Sequence, residues 1–202
     1  MMTRLPSPLA DLLPEELQRL CSFHSFAKGS SLFLLGKKPT QMLYVSHGEV
    51  VLQRIGTQGE IVILQRARQG FIAEASLQST RYHCDAIATR AAEVVSIPLT
   101  ELNQALHMEP AFASRWITML NQEVKRLRAQ CERLSKKGVR ERLLHFIETV
   151  GNKGRLALDS DLKSLAAELG VTHEALYRTM ADLERSNILN RRDGYLSIVI
   201  NR

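Results

Sequence analysis

The stretch from Asp161 to Ser186 constrains the fold more than any other part of this chain of 202 residues. Its apolar positions form two short helical patterns, which are interrupted at Gly170. Glycine supplies the positive φ of a tight turn, Ala166 is small enough for the helices to cross closely, and Leu176 fills the angle between them. The spacing predicts a helix-turn-helix. The alternative is an ordinary helical hairpin with a solvated, charged face.

The second predicted helix is amphipathic. Leu176, Met180 and Leu183 share one face, which is expected to lie in the core. The other face carries candidate DNA-binding residues near the N-terminal end of the helix, namely Thr172, His173, Glu174, Tyr177 and Arg178. Such an arginine can bond guanine O6 and N7 together, and such a glutamate can accept from cytosine N4. We therefore expect this face to read base edges.

A β-hairpin is predicted directly after this helix. Asp193-Gly194 is a turn signal, and the residues from Tyr195 onward alternate between polar and apolar types. A hairpin that follows a recognition helix is a wing. Arg191 and Arg192 at its start are expected to contact phosphates.

The composition suits one or two domains with real cores, since 45% of the residues are apolar and 24% are charged. The sequence contains neither a long apolar run nor a signal-peptide pattern, so a cytoplasmic protein without a membrane partner is expected. The net charge of +6 is modest, and most of the excess falls on residues 109–137. Charge alone therefore does not identify the DNA-binding segment. Three cysteines without metal-ligand spacing support neither a disulfide framework nor a zinc or iron–sulfur site.

Two periodicities follow one another in the first half of the chain. Residues 9–26 begin with an amphipathic pattern that predicts one cover helix. From Lys28 to about Leu99 the period is two and glycines recur, which predicts a small β-sandwich or barrel.

A single long helix is predicted from Pro110 to Lys136. Its apolar residues step by four and three, as in a coiled-coil seam, and they are Ala113, Ile117, Leu120, Val124, Leu127, Cys131 and Leu134. At about 1.5 Å per residue the helix would measure about 40 Å, which is too long for burial in one small domain. Its partner is expected to be its twin in a parallel homodimer, the alternative being a monomeric helix along its own domain. Phe112, Trp116 and Met119 lie off the seam and should pack on the β-domain.

The helix is predicted to break at Lys137-Gly138, which would form a hinge. A further amphipathic helix follows and opens the winged module. The sequence thus predicts an α+β fold in three parts. These are a jelly-roll-like β-roll at 1–108, a dimerisation helix at 109–137 and a winged helix-turn-helix domain at 138–202.

This order of parts resembles the CRP/FNR superfamily of bacterial transcription regulators. The matching stretches are KGSSLFLLG, YVSHGEVVL, GTQGEIVIL, GFIAEASL and THEALYR. The resemblance implies a homodimer that binds a near-palindromic site in double-stranded DNA and that contacts RNA polymerase. Glu174 and Arg178 match the base-reading pair of the family, and His173 stands where members that respond to cyclic AMP have an arginine.

The candidate effector pocket departs from the pattern of cyclic-AMP binders. That pattern has Gly-Glu, a short helix and then Arg-Ser, whose arginine neutralises the phosphate. Here Glu74 is kept, Ala73 replaces the glycine, and Tyr82-His83 replace Arg-Ser, with Arg81 one place off. The pocket is therefore assigned to Glu74, Arg81, Tyr82 and His83. No cofactor is identified, and the pattern does not favour cyclic AMP.

Alternatives remain open for this segment. One is a regulator that responds to cAMP or cGMP and uses Arg81. Another is haem or metal ligation, in which His83 and Asp85 would share one face of a strand and Cys84 would take the other. The favoured interpretation is a structural strand with a satisfied core histidine.

An enzyme is the alternative from another class. It would use Cys84 or Cys131 as the nucleophile, with His83 or His145 as the base. No oxyanion-forming glycine loop flanks either cysteine, so the protein is not expected to be an enzyme.

Overall fold

A computed structural model describes residues 4–57, 61–158 and 162–199. The chain forms two compact units, Met1–Thr118 and Met119–Arg202. The first is built on a β-sheet and the second on helices with a small sheet, so the predicted α+β class with an N-terminal β-domain is confirmed. The domain boundaries at residues 108 and 137 remain predictions. Within the described residues, none of the helices combines the length and the hydropathy that crossing a membrane requires.

The first unit contains a six-stranded antiparallel sheet. The strands are β1 (Ser22–Phe26), β2 (Ser31–Phe33), β3 (Gln41–Ile55), β4 (Ile61–Ala67), β5 (Gly70–Ile72) and β6 (Asp85–Pro98). Their order is β1-β6-β3-β4, with β2 paired to β6 and β5 paired to β3. The two longest strands, β3 and β6, form the central pairing, in which Val45 lies opposite Val94.

Alternation along these strands builds the core of the first unit. Every second side chain points to the same face of a strand, so the period-two pattern places one apolar set inward. Buried members of this set include Val45, Leu52, Ile72, Ala88 and Val94. The β-rich character expected for this segment is confirmed. Strand β1 was not predicted, because it lies within residues 9–26, where only a helix is predicted.

The N-terminal cover is two helices, α1 (Ser7–Leu12) and α2 (Glu15–Leu20), so the prediction of one helix is wrong. Pro14 lies at the break, and a proline disfavours helical backbone in the residue before it. Leu13 is accordingly extended, with ψ 141°. The amphipathic pattern still places Leu9 and Leu17 in the core, whereas Leu20 is exposed.

Helix α3 (Leu99–Met108) is followed by the long helix α4 (Pro110–Ser135), which confirms the predicted helix to within one residue. Pro110 lies in the first turn, where the N–H that it lacks would have no helical partner. Phe112 and Trp116 are buried, and the centroids of the Trp116 and Phe71 rings lie 5.0 Å apart. The expected packing on the β-domain is confirmed for Trp116. Met119 is half-buried.

The second unit surrounds one apolar core with helices and a three-stranded sheet. Its elements after α4 are α5 (Val139–Val150), β7 (Arg155–Ala157), α6 (Leu162–Glu168), α7 (His173–Arg185), β8 (Leu189–Arg192) and β9 (Tyr195–Ile198). The strands pair in the order β7-β9-β8. Asp161, where the predicted helix-turn-helix begins, lies outside the described residues. The core includes Leu143, Ile147, Leu169, Leu176 and Leu196.

Candidate nucleic-acid interface

A left-handed glycine forms the turn between α6 and α7. Gly170 has φ +64°, and the Val171 N–H donates to the Ala166 carbonyl at 3.0 Å. Ala166 and Leu176 are both buried, as their spacing predicts. A Cβ at residue 170 would lie 3.1 Å from the Leu134 Cδ2 atom. The turn therefore favours glycine both for its backbone conformation and for the space around it.

The solvent face of α7 carries the candidate base-reading residues. Glu174, Tyr177 and Arg178 are exposed, and the half-buried His173 ring meets Tyr177 edge-on with centroids 4.8 Å apart. The opposite face is buried, as predicted, through Leu176, Met180 and Leu183. The structure thus places these candidates together at the N-terminal end of one helix. Their contact with bases remains a prediction.

Groups at the start of α7 favour the charged form of Glu174. Hydrogen bonds from its own backbone N–H and from the Thr172 hydroxyl lower the pKa of the Glu174 carboxyl, and the nearby His173 and Lys163 lower it further. The carboxyl is therefore ionised at neutral pH and can only accept hydrogen bonds. This state matches the acceptor role toward the cytosine amino group that the sequence predicts.

Thr172 also caps the helix, since its Oγ1 accepts from the Ala175 N–H at 3.2 Å. We expect Thr172→Ala to lower the free energy of unfolding by about 1 kcal/mol, because this N–H loses its acceptor. Urea unfolding followed by far-UV circular dichroism measures the effect. Thr172→Ser keeps the hydroxyl and should stay within about 0.5 kcal/mol of the parent. Equal stability of both variants would contradict the capping role.

The wing is a tight hairpin of β8 and β9. Asp193 and Gly194 have φ +51° and +77°, and positive φ at both central residues is typical of a type I′ turn. Arg191 and Arg192 are exposed on β8, where the sequence predicts phosphate contacts. Those contacts remain a prediction.

Strand β7 adds Arg155 to the wing. The Arg155 guanidinium carbon lies 3.8 Å from the centroid of the Tyr195 ring on β9. Arg155 and Arg192 lie on the same face of the sheet β7-β9-β8, because the pairing places them opposite Ser197 and Tyr195 of β9. Arg155 was not predicted as a site residue, because it precedes α6 and only strand pairing brings it to the wing. The one signal for strand β7 in the sequence is the apolar Leu156, which the structure buries between two exposed residues.

One guanidinium, that of Arg142, joins the end of α4 to the helix-turn-helix. Its Nε donates to the Lys136 carbonyl at 2.9 Å and its Nη2 to the Leu134 carbonyl at 3.2 Å. Its Nη1 donates to the carbonyls of Leu169 and Gly170 at 3.2 and 3.3 Å. We call these four bonds the Arg142 clamp. The helix break at Gly138 is confirmed, and the clamp bridges it.

One ion pair and one contact between a histidine and a carboxylate accompany the clamp. Arg133 is only 2% exposed, with its Nη2 3.4 Å from a Glu168 oxygen and its guanidinium carbon 4.7 Å from the centroid of the Phe146 ring. The His145 Nε2 lies 3.2 Å from a Glu132 oxygen, and this neighbour lowers the pKa of the Glu132 carboxyl. Side chains from α5 and α6 therefore hold the last turn of α4.

The predicted seam forms an exposed apolar stripe on α4. Ile117, Val124 and Leu127 are 57%, 43% and 39% exposed. Leu120 is half-buried, and Cys131 is exposed. Adjoining exposed apolar side chains often mark interaction sites, and the partner expected for α4 remains a prediction.

The candidate effector residues take different environments. Glu74 opens a single 3-10 turn after Ala73, which adopts the left-handed φ of +70° in place of the glycine of the family pattern. Tyr82 is 6% exposed and stacks on Phe33 with centroids 3.8 Å apart. Arg81 is exposed and donates to the Gly36 carbonyl at 2.9 Å. The assignment of these residues to an effector remains a prediction.

The interpretation of His83 as a core histidine is wrong. His83 is exposed and precedes β6, whereas its neighbour Cys84 is buried. Burial, Asp85 and Glu74 together raise the pKa of the Cys84 thiol, in that order of size. A thiol that keeps its proton is a poor nucleophile, which disfavours the Cys84 enzyme alternative. Asp85 is engaged elsewhere, because its Oδ1 accepts from the Leu35 N–H at 2.7 Å.

Known proteins match this chain in sequence and in fold. Residues 23–109 match the family of cyclic nucleotide-binding domains. The global nitrogen regulator of Synechocystis sp. (strain ATCC 27184 / PCC 6803 / Kazusa) is 21% identical over 82% of this chain and 79% of its own length. The structure also resembles FixK2 from Bradyrhizobium japonicum, with a TM-score of 0.63, 18% identity and coverage of 88% of this chain and 92% of that one.

A further match is the c-di-GMP responsive global regulator CLP of Xanthomonas campestris. It has a TM-score of 0.60 and 17% identity, covering 93% of this chain and 98% of that one. At these identities the structures show a shared fold. Residues 23–109 thus match a cyclic nucleotide-binding domain, and a winged helix-turn-helix follows them in the chain. The chain shares its fold with these solved regulators, which agrees with the resemblance to the CRP/FNR superfamily that the sequence indicates.

Proposed function

We propose that the protein is a homodimeric, sequence-specific DNA-binding transcription regulator whose β-domain senses an effector. The observation that carries the proposal is the exposed face of α7. It presents an ionised acceptor, Glu174, and a forked donor, Arg178, one helical turn apart at the capped end of the helix. Such a pair suits the two strands of a G·C base pair.

The surroundings of α7 support duplex DNA as the partner. Arg155, Arg191 and Arg192 give the wing exposed positive charge, which suits contacts to phosphates. Two copies related by a two-fold axis along α4 would present two recognition helices about 34 Å apart, one per major groove. RNA polymerase is a further proposed partner, by the resemblance to the CRP/FNR superfamily.

Arg178→Ala tests the base-reading role. We expect binding to a preferred site, selected from random duplexes, to weaken about 10- to 100-fold, with the preference lost at one G·C pair. Binding to random duplexes should change little. Fluorescence anisotropy at a fixed salt concentration measures both affinities.

Two further variants serve as controls for this experiment. Arg185→Ala removes a charge from the last turn of the same helix and should preserve the base preference. Arg192→Ala should weaken preferred and random DNA alike and reduce the slope of log affinity against log salt by about 1. Equal losses on preferred and random DNA for Arg178→Ala would contradict the proposed role.

A regulator that responds to cyclic nucleotides through Arg81 is a second candidate, which the match of residues 23–109 favours. The Arg81 side chain is exposed and its guanidinium is engaged with the Gly36 carbonyl. Isothermal calorimetry of the full chain with cAMP and cGMP decides this candidate. Absence of binding heat at millimolar nucleotide would exclude a regulator that responds to cyclic nucleotides.

A further inference from the structure

A cavity of about 490 Å³ opens in the first unit beside the loop between β2 and β3. His24 and Ser96 line it with polar atoms, and their Nε2 and Oγ atoms lie 2.8 Å apart. Phe26, Phe33 and Tyr82 line it with aromatic rings. Apolar walls with a few converging polar groups are typical of small-molecule sites, as is this volume.

The charge at this cavity has one sign. Lys37 and Lys38 line it with exposed side chains, and none of the described lining residues is an aspartate or a glutamate. Arg81 adds a third cation to the same loop through the Gly36 carbonyl. The carboxylate of Asp85 contacts this loop at the Leu35 N–H but does not line the cavity. The local potential therefore favours an anion.

The cavity differs from the pocket that the sequence predicts. Of the predicted effector residues only Tyr82 lines it, whereas Glu74, Arg81 and His83 do not. Burial raises the pKa of the Tyr82 phenol, so this group keeps its proton at neutral pH. The stacked rings of Tyr82 and Phe33 thus give the cavity a flat, uncharged wall.

We infer that this cavity binds a small organic carboxylate with a flat apolar body. The carboxylate lies beside Lys37 and Lys38, and the body packs against Phe26, Phe33 and Tyr82. The proposed function leaves the effector unnamed, and this ligand class would supply it. Regulation by such a ligand rests on the proposed function, whereas binding of the ligand to the cavity does not.

Nuclear magnetic resonance of the full chain tests binding, with the ring signals of His24 as the reporter. The probe is 1-naphthoate, and the protonated amine 1-naphthylmethylammonium is its counterpart of opposite charge. We expect saturable shifts of the His24 signals with the anion and binding at least about tenfold weaker with the cation. Equal binding of the two probes would overturn the inference.

Two cavity variants and a matched control locate the site. The double variant Lys37→Gln/Lys38→Gln should weaken 1-naphthoate binding about tenfold. Ser31→Phe places a ring at an exposed lining position and should block binding. The double variant Lys125→Gln/Lys137→Gln removes the same charge from exposed positions of the second unit, which do not line the cavity, and should bind like the parent. Binding unaffected by both cavity variants would overturn the assignment.

DNA binding measured with and without 1-naphthoate separates the two proposals. Saturable shifts at His24 in a protein that ignores all DNA would support the cavity and contradict the proposed function. Specific DNA binding without any response of His24 to the anion would support the function and overturn the cavity.

Discussion

Replacement of Leu127 by glutamate should raise the dissociation constant of the proposed homodimer at least about 100-fold, or about 2.7 kcal/mol. Leu127 lies on the exposed apolar stripe of α4, in register with Ile117 and Val124. In a parallel pair this position meets its own copy, so the substitution places two carboxylates in one apolar contact. Both would lose water without gaining a partner. Sedimentation velocity of the full chain over a range of concentrations measures the change.

Gln122→Glu is the matched control for this substitution. Gln122 is exposed on α4 and falls on the side of the heptad away from the seam. The substitution Gln122→Glu introduces the same charge as Leu127→Glu and should leave the dimer intact. A parent chain that is monomeric at micromolar concentration, or a Leu127→Glu variant that remains dimeric, would contradict the coiled-coil arrangement.

DNA binding provides a second measurement on the same variants. A dimer binds both half-sites of a near-palindrome at once, which increases affinity without any new contact. Leu127→Glu should therefore lose this gain on two half-sites while keeping the weaker affinity of one recognition helix for one half-site. Loss of affinity for single half-sites as well would indicate damage to the second unit.

The helix-turn-helix and the long helix could be predicted because their signals are local. Gly170, Ala166 and Leu176 lie within one short stretch, and each has a geometric reason to be there. The seam of α4 repeats the same apolar spacing along a single helix. Local patterns of this kind can be recognised in the sequence even when the residues that pack against them are unknown.

Short elements defined by pairing were not predictable in the same way. Strand β7 has three residues, and it exists because β9 lies beside it. Its only signal in the sequence is one leucine, which is too little to identify a strand. Arg155 was missed with it, although its guanidinium packs on Tyr195.

The effector segment shows why burial of single residues is hard to predict from a family pattern. The resemblance to the family put Tyr82 and His83 forward as a pair, yet both precede β6 and they take different environments. The structure buries Tyr82 and Cys84 and exposes His83 between them. Which residues turn inward is settled by ring packing of Tyr82 on Phe33, and that contact joins distant parts of the sequence. The cavity beside Lys37 and Lys38 was not predicted for the same reason, because its lining residues come from distant parts of the sequence.

The Arg142 clamp also escaped prediction, and its removal should have the largest effect on stability. We expect Arg142→Ala to lower the free energy of unfolding of the second unit by about 3 kcal/mol, because charged donors form the stronger hydrogen bonds. Four carbonyls lose their donor together, and the bonds to Lys136 and Leu169 are partly buried. Leu134 and Gly170 also lose the guanidinium that packs beside the turn.

Hydrogen exchange of the full chain measures this effect in the second unit alone. The amides of Leu143 and Ile147, in the buried core of α5, should exchange about 100-fold faster in Arg142→Ala, which corresponds to about 2.7 kcal/mol. Arg140→Ala is the control, since Arg140 is an exposed arginine on the same helix. Arg142→Lys should lie between the two, because one ammonium cannot span four carbonyls as a fork does. If Arg142→Ala exchanged like Arg140→Ala, the junction of α4 with the helix-turn-helix would depend on apolar packing, and the clamp would contribute little to it.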